Sequence, residues 1–326
     1  MLRVLAGLLL LASVPLLTAA YVGWHLDHNV HRIDGVFKGL EHRPSRPATG
    51  SAAHAVNLLV LVTDRRSTVS TAGSDAGADA ASGSERPDAM MIVHLPGDRK
   101  AAWVLWIPDD SWVAIPGHGR DRIDAAVSVG GPTLAVETVE QLTGVRIDHL
   151  AVFDWDGFRV LTDAVGGVDV DTPEPARGST WSAGRHHFGG AEALDYATQR
   201  GGVERAGLDR AVREQSFLRS LMQACLHQEM RKNPRMLYDF LDTVTQHLSV
   251  DSGWSALDMA KLTASLRNLR SANIRYLTVP VAGVGHDGDR SAVHLDVPAD
   301  QELWRAVRDD RIEGWAEAHG ADRSTS

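Results

Sequence analysis

The sequence predicts an α/β protein in which a mixed central β-sheet is covered by helices on both faces and preceded by an N-terminal transmembrane helix. Short apolar runs of β-prone residues alternate along the chain with segments of helical periodicity, and the longest helical segments come late. Such interleaving is typical of one layered domain, which we place at residues 54–315. An uncharged apolar N-terminus predicts the membrane helix.

The composition is that of a globular protein, with 44% hydrophobic and 23% charged residues in a chain of 326. The formal net charge of −9 argues against a broad nucleic-acid-binding surface, which needs clustered lysine and arginine, so we expect no nucleic-acid partner. A small basic pocket for an anionic ligand stays compatible with this charge. The single cysteine, Cys225, can form neither an internal disulfide nor a cysteine metal cluster.

The N-terminus predicts a membrane anchor at residues 1–24. No residue from Val4 to Val22 is charged, and a run of this length reaches the threshold for crossing a bilayer. Tyr21 and Trp24 stand where interfacial aromatic residues occur. A cleaved signal peptide is the alternative, because Thr18-Ala19-Ala20 supplies small residues. Either reading exports the bulk of the chain, and the anchor makes it a single-pass protein of the cell membrane with an extracytoplasmic domain.

The chain after the anchor begins with a polar segment at residues 25–53, which predicts an extracytoplasmic tether. Residues 56–62 form an apolar run of buried-strand character. Two further runs, at 89–95 and 103–107, flank a Pro-Gly turn and predict a hairpin. Residues 67–84 are almost wholly small and polar, which predicts a surface loop, either a passive insertion or a lid over a site.

The alternation of strands and helices continues to the end of the domain. In order, the pattern predicts a strand at 112–115, a helix at 131–142, a strand at 146–155, a helix at 157–165 capped by Asp156, a strand at 168–170 and a helix at 190–196. An exposed loop at 199–210 is followed by a long helix, whose apolar side we assign to Val212, Phe217, Leu218, Leu221, Met222 and Cys225. Later starts are predicted at Asn233-Pro234 and Ser255, then a strand at 274–281, a helix at 299–307 and a disordered tail at 316–326.

Charged residues cluster at the ends of the first two predicted strands. Asp64, Arg65 and Arg66 follow the first strand, and Arg86 and Asp88 precede the second. Binding groups in α/β proteins usually lie at such strand ends. Nearby carboxylates suit a hard cation such as Mg²⁺, and guanidinium groups suit phosphate because they form paired, charge-assisted hydrogen bonds.

A second basic cluster follows Tyr196 and comprises Arg200, Arg205, Arg210 and Arg213. Metal-bound carboxylates facing several arginines would form a diphosphate site. The alternative is that these arginines are solvated or paired with the chain's many acidic residues. Neither a Gly-x-Ser-x-Gly elbow nor a Gly-Lys-Ser/Thr phosphate loop occurs in the sequence.

These charged segments belong to a set that resembles the LytR-CpsA-Psr (LCP) proteins of Gram-positive cell envelopes. The set runs in family order over roughly residues 54–225. It comprises NLLVLVTDRRS (57–67), RPDAMMIVHL (86–95), WIPDDSWVAIPGHGRDRIDAA (106–126), the block at 130–171, GGAEALDYATQR (189–200) and DRAVREQSFLRSL (209–221). The resemblance implies a single LCP-type domain with a long apolar pocket for a polyprenyl tail.

The resemblance also implies an outward-facing enzyme that transfers a glycopolymer from an undecaprenyl-diphosphate carrier to a peptidoglycan acceptor, or in some members to protein. It implies that Asp64 and Asp88 hold Mg²⁺. The implied catalytic arginines are Arg66, Arg122, Arg200 and Arg210. The implied substrate-binding residues are Arg65, Arg86, Arg120, Arg213, Asp109 and Glu214.

Four positions depart from the family pattern. Asp109 stands where the family usually has the arginine of Ile-Pro-Arg-Asp, and Thr198 replaces the first arginine of an Arg-x-Arg pair. Gly207 replaces the aspartate of Gly-Asp, and Glu214 replaces a glutamine. Losing a charge-assisted hydrogen bond typically costs about 1.5–3 kcal/mol, so these changes bear directly on activity.

Three hypotheses follow for the function. The retained carboxylates and arginines favour a divergent glycopolymer transferase. The changes at Asp109, Thr198 and Gly207 favour the alternative, a catalytically impaired LCP-like protein that binds polyprenyl-phosphate lipid or a partner envelope enzyme. The third hypothesis is a structural envelope protein whose pocket is closed.

Overall fold

The computed structural model describes residues 21–63, 86–172, 181–199, 206–225, 233–288 and 290–320. Most of the predicted anchor at 1–24, the predicted loop at 67–84 and the end of the predicted tail lie outside these ranges. Within the described ranges, no helix combines the length and the apolarity that a bilayer-crossing segment needs.

The described strands and helices interleave along the chain. The strands are β1 (His31–Ile33), β2 (Val56–Thr63), β3 (Ala89–Leu95), β4 (Ala102–Ile107), β5 (Trp112–Ile115), β6 (Gly119–Arg122), β7 (His149–Asp154), β8 (Val168–Thr172), β9 (Gly184–Phe188), β10 (Leu248–Asp251), β11 (Ile274–Thr278), β12 (Val281–Asp287) and β13 (Arg290–Leu295). Residues 21–29 are helical and are called α1. The other helices are α2 (Ala125–Thr143), α3 (Trp155–Ala164), α4 (Gly190–Thr198), α5 (Ala206–Cys225), α6 (Pro234–Gln246), α7 (Ala256–Ser265), α8 (Val297–Arg308) and α9 (Ile312–His319).

Seven of the described strands form one mixed sheet, in the order β1-β10-β7-β2-β3-β4-β11. β2 pairs in parallel with β7 and antiparallel with β3, and β3 forms the predicted hairpin with β4. β11 pairs in parallel with the outer side of β4. The mixed central sheet predicted from the sequence is therefore confirmed.

Helices cover both faces of this sheet. Side chains alternate between the two faces along each strand, so one strand contributes to both buried layers. In β2, Leu59 and Leu61 belong to one buried cluster, whereas Val62 belongs to the other. The first cluster includes side chains of α2, α8 and α9, and the second includes side chains of α3, α4 and α5. Because both faces of the sheet are covered, the central strands carry apolar side chains on both faces. Their sequences are therefore continuous apolar runs.

The predicted tether at residues 25–53 is in part a folded segment. β1 pairs with β10 at the edge of the sheet, and Ile33 and Val36 are buried in the core. α1 contacts α6, where His25 Nε2 and Asn29 Nδ2 lie 3.1 and 2.8 Å from Asp242 Oδ1. A strand of three residues is too short to show a periodic pattern in the sequence. β1 is recognised only from its pairing with β10.

The helix starts and ends refine the sequence predictions. Asp154, and not Asp156, caps α3, because the Asp154 carboxylate accepts a hydrogen bond from the Gly157 N–H at 2.6 Å. α2 already begins at Ala125 and is interrupted at Gly131, whose φ of 65° favours glycine.

The late helices begin largely where their caps predict. Asn233 and Ser255 accept hydrogen bonds from backbone N–H groups in the first turns of α6 and α7. α5 begins inside the predicted loop at 199–210, and Val212 on it is 46% exposed, so it does not belong to the apolar side. α9 continues to His319, so the predicted domain end at residue 315 falls within a helix.

Candidate functional site

The charged strand ends meet at one edge of the sheet. β2 and β7 both end at this edge, because their last residues, Thr63 and Asp154, are paired. β3 begins there and β4 ends there, because these two strands form an antiparallel hairpin. Asp88 directly precedes β3, and Asp109 follows β4 after one proline. The topology therefore gathers residues that lie far apart in the sequence at one place.

Asp88 is fixed at the start of β3 by two hydrogen bonds. Its backbone N–H donates to the Val62 carbonyl oxygen at 2.9 Å. The indole Nε1 of Trp155, the first residue of α3, donates to Asp88 Oδ2 at 3.2 Å. Trp155 is a site residue that the sequence analysis missed. The available signal was its position directly after a buried strand, where α/β proteins place binding groups.

The turn between β4 and β5 is held by the backbone on two sides. The Asp124 N–H donates to the Asp109 carbonyl oxygen at 3.1 Å, and the Ile123 N–H donates to that of Ser111 at 2.8 Å. From β13, the Val293 N–H donates to the Asp110 carbonyl oxygen at 2.9 Å. The turn is therefore rigid, and the direction in which the Asp109 side chain leaves it is set.

The carboxylate of Asp109 lies between two arginines. Its Oδ2 accepts a hydrogen bond from Arg122 at 3.4 Å and also forms an ion pair with Arg210 of α5. The side chains of Asp109 and Arg210 are 9% and 14% exposed, so water screens this pair weakly. The position that the family resemblance assigns to an arginine that binds phosphate thus holds a carboxylate that pairs with two other arginines.

Asp124 is a second buried carboxylate that the sequence analysis missed. Its Oδ2 accepts a hydrogen bond from Arg122 at 2.9 Å, and its Oδ1 accepts one from Arg86 at 3.3 Å. Burial raises the pKa of Asp124 to about 6, although the two arginines act in the opposite direction. The available signal was its position two residues after Arg122, in the charged segment that follows the Pro-Gly turn.

Glu214 completes the carboxylates around Arg210. Its Oε1 lies 3.6 Å from Arg210 Nε, one helical turn away, and the side chain is 2% exposed. Burial raises the pKa of Glu214 well above its usual value. Burial alone would lower the pKa of Arg210, but Asp109 and Glu214 outweigh it and raise that pKa. Arg210 is therefore a permanent cation that lies between the carboxyl groups of Asp109 and Glu214.

For Arg210 the structure thus shows the pairing with acidic residues that was the alternative for the second basic cluster, and Arg86 and Arg122 are paired with acidic residues as well. Arg120 is exposed and donates to the Trp112 carbonyl oxygen at 3.0 Å, away from these carboxylates. Arg213 donates to the backbone carbonyl of Gln199. An anionic ligand at this edge has to compete with carboxylates for the guanidinium groups.

Four predicted site residues lie outside the described part of the chain, namely Asp64, Arg65, Arg66 and Arg200. Among the described residues, no group of three or more His, Cys, Asp or Glu side chains could hold a metal ion. The Asp88 carboxylate is the donor type that Mg²⁺ prefers, and one or two carboxylates with substrate phosphates commonly suffice for it. Asp88 therefore fits the predicted cation by its chemistry, and the other predicted ligand, Asp64, lies outside the described residues.

A cleft of about 220 Å³ lies at the opposite edge of the sheet, beside Asn57 at the start of β2. Its lining includes Arg46, Arg146 and Arg308. Its charged lining and its distance from the ends of β2 and β7 distinguish it from the apolar pocket that the resemblance implies.

The chain matches the model of the LytR_cpsA_psr family over residues 36–307. The cell wall biosynthesis protein LcpA of Corynebacterium glutamicum is 31% identical in an alignment of 245 residues that covers 65% of this chain and 47% of LcpA. The probable cell wall biosynthesis protein LcpB of that species is 32% identical in an alignment of 284 residues that covers 85% of this chain and 64% of LcpB. The chain thus spans about half to two thirds of these relatives.

A third relative carries a more specific name. The polyisoprenyl-teichoic acid–peptidoglycan teichoic acid transferase TagU of Oceanobacillus iheyensis is 28% identical in an alignment of 260 residues that covers 77% of this chain and 73% of TagU.

Solved structures share the fold. Bacillus subtilis TagV superposes with a TM-score of 0.62 at 22% identity, covering 81% of this chain and 98% of that one. The family protein YwtF (TagT) with bound octaprenyl pyrophosphate lipid superposes with a TM-score of 0.56 at 18% identity, covering 83% of this chain and 97% of that one.

Proposed function

Because the chain belongs to the LytR-CpsA-Psr family, we propose that it is a membrane-anchored phosphotransferase of cell wall assembly. In this proposal it moves a glycopolymer from an undecaprenyl-diphosphate carrier to peptidoglycan. The names of its relatives support this chemistry, since TagU is a teichoic acid transferase acting between a polyisoprenyl carrier and peptidoglycan. The octaprenyl pyrophosphate bound to YwtF supports a polyprenyl diphosphate as the ligand class.

One observation carries the proposal for this chain, namely that Arg86, Arg122 and Arg210 converge through shared carboxylates at the sheet edge beside Asp88. Arginine side chains form paired hydrogen bonds with phosphate oxygens and hold a permanent charge. A diphosphate at this edge would meet three cations that come from separate elements of the fold.

The proposed reaction is an in-line transfer. A hydroxyl oxygen of the peptidoglycan acceptor forms a bond with the phosphorus nearest the polymer, and the bond from that phosphorus to the bridging oxygen breaks. Polyprenyl phosphate leaves, and the hydroxyl proton passes to a base. The arginines stabilise the charge on the phosphate oxygens, which is the main demand of phosphoryl transfer. Mg²⁺, held by Asp64 and Asp88 in this proposal, would neutralise further phosphate charge.

Two exposed aromatic residues support the proposed anchor. Tyr21 and Trp24 of α1 are each 60% exposed, and such residues are typical of the interface between a membrane and water. The proposed location is accordingly the cell membrane, with residues 1–24 as the anchor and the domain outside.

Complementation tests the proposed function. The full chain is produced in a strain that lacks LCP activity, and glycopolymer attached to purified peptidoglycan is measured. Restored attachment, lost again in Arg122→Gln, is the expected result. Absence of attachment by a protein present in the membrane at normal levels, while a known transferase restores it, would overturn the proposal.

A second candidate is a lipid-binding family member with impaired catalysis, favoured by the Asp109 carboxylate between Arg122 and Arg210. Such a protein would retain prenyl diphosphate on purification in detergent but would attach no polymer. Lipid analysis of the purified full chain by mass spectrometry, beside the attachment assay, separates the two candidates.

A further inference from the structure

The arrangement around Asp109 resembles that of a bound phosphate oxygen. One carboxylate oxygen, Oδ2, contacts both Arg122 and Arg210, which approach it from β6 and from α5. Guanidinium groups that converge on one anionic oxygen are the usual geometry of phosphate recognition. In this chain the anion at the focus of the two arginines is part of the protein.

The side chain of Asp109 is held in this place. Asp109 lies in the turn that three backbone hydrogen bonds fix to the β6–α2 junction and to β13. Because the backbone of this turn is already fixed, the pairing of Asp109 with a cation costs little further backbone freedom. A ligand cannot free the arginines merely by moving a flexible loop aside.

The second partners of both arginines are also carboxylates. Arg122 shares Asp124 with Arg86, and Arg210 has Glu214 on its other side. Asp124 and Glu214 are each 2% exposed, so both lie in the protein interior beside these arginines. Of the three carboxylates, Asp109 is the one whose oxygen lies between Arg122 and Arg210.

We propose that Asp109 is a built-in counter-anion, which occupies the place of a phosphate oxygen between Arg122 and Arg210 and weakens the binding of diphosphate groups there. Asp109 then determines specificity. A ligand can bind both Arg122 and Arg210 only if it displaces the Asp109 carboxylate from them. The inference rests on the proposed function in one respect, since it takes these arginines as the diphosphate site.

Pyrophosphate binding to the purified full chain tests the inference. Calorimetry in metal-free buffer compares the wild type with Asp109→Asn, which removes the charge and keeps the size. We expect Asp109→Asn to bind inorganic pyrophosphate roughly tenfold or more tightly, because close charge pairs are commonly worth at least the corresponding free energy. The double variant Asp109→Asn/Arg210→Gln should lose this gain, because it lacks the freed cation.

Asp169→Asn is the matched control. Asp169 is exposed and pairs with Arg185 and His187, so the variant loses the same charge at a separate ion pair. Its affinity for pyrophosphate should equal that of the wild type. An equal gain in Asp169→Asn would overturn the inference, since net charge alone would then explain the effect. Asp109→Ala, which also removes the charge, gives the same comparison if thermal unfolding shows that Asp109→Asn is misfolded.

The remaining outcomes separate this inference from the proposed function. If both uncharged variants fold and neither gains affinity, the inference is wrong, and a wild type that still attaches polymer leaves the proposed function intact. If Asp109→Asn gains affinity and the wild type attaches no polymer in the complementation assay, the inference holds and the proposed function fails.

Discussion

The indole nitrogen of Trp155 lies 3.2 Å from Oδ2 of Asp88 and joins the end of β7 to the start of β3. Hydrogen bonds of this kind orient a metal-binding carboxylate, and their loss commonly lowers metal affinity about 10–100-fold. If Asp88 holds Mg²⁺ as proposed, we expect Trp155→Phe, which keeps an aromatic ring and removes the donor, to raise the Mg²⁺ concentration needed for half-maximal polymer attachment about tenfold.

Trp254→Phe is the control for this prediction, because Trp254 stacks on His149 at the start of β7, away from Asp88. Its Mg²⁺ dependence should match that of the wild type. An unchanged Mg²⁺ dependence in correctly folded Trp155→Phe would exclude the orienting role.

The ion pair of Asp109 and Arg210 predicts a stability effect. Arg210→Gln leaves Asp109 and Glu214 buried without their common cation, and breaking a buried pair in this way costs about 3–5 kcal/mol. The free energy of unfolding in urea should fall by that amount. Arg185→Gln, at an exposed pair with Asp169, should change the same quantity by no more than about 1 kcal/mol. Adding Asp109→Asn to Arg210→Gln should recover part of the loss, and no recovery would contradict the pairing.

The stability of the fold should depend on pH through Asp300 of α8. Burial, followed by the nearby Asp296 charge, raises the pKa of Asp300 from 3.8 to about 7. The folded state therefore binds this proton more tightly than the unfolded state. The stabilisation is complete below pH 4 and is lost as the pH rises to about 7. Relative to Asp300→Asn, the wild type should lose roughly 2–4 kcal/mol of unfolding free energy between pH 4 and pH 8.

Chemical unfolding at several pH values measures this difference. Asp98→Asn, at a half-exposed carboxylate, serves as the control and should follow the wild type within about 0.5 kcal/mol. A constant difference between Asp300→Asn and the wild type across the range would show that Asp300 keeps an ordinary pKa.

Two adjacent glycines at the start of α4 should respond differently to alanine. A Cβ atom at Gly190 would lie 2.1 Å from the backbone oxygen of Arg159, so α4 would have to move away from α3. At Gly189 the nearest atom would be 3.8 Å away, which is an ordinary contact. We expect Gly190→Ala to cost about 2–3 kcal/mol of stability, as overpacking does. Gly189→Ala should cost at most about 1 kcal/mol, the value of a weaker cap, and equal melting temperatures would contradict this packing.

β2, β3 and β4 were predictable to within one residue, whereas the predicted strand at 146–155 begins three residues before β7 and the predicted strand at 274–281 ends three residues after β11. β3 coincides with the predicted run at 89–95, because every position in it suits the interior and Pro96 follows it. β1 was not predictable, because it has three residues, two of them polar, and shows no strand pattern. Only its pairing with β10 identifies it as a strand. The cap of α3 was placed two residues late, because either Asp154 or Asp156 could fill that position in the sequence.

The sequence could predict that charged residues would meet at one edge of the sheet, because this follows from the directions of the strands. The partners of the arginines were not predictable. Arg210 meets Asp109 across 101 positions of the chain, and Arg86 meets Asp124 across 38. Nothing in local periodicity determines such distant pairs, and the burial that raises the pKa of Glu214 is a property of the packed helix layer.

The contact of α1 with α6 and the pairing of β1 with β10 leave little slack between residue 21 and the sheet. If residues 1–24 cross the membrane as proposed, the domain begins directly at the end of its anchor, because His25 already contacts α6. The described residues from 21 to β1 then supply no flexible linker between the anchor and the sheet. A lipid carrier would reach this edge by diffusing sideways within the membrane, and a distant acceptor in the wall would have to come to the enzyme.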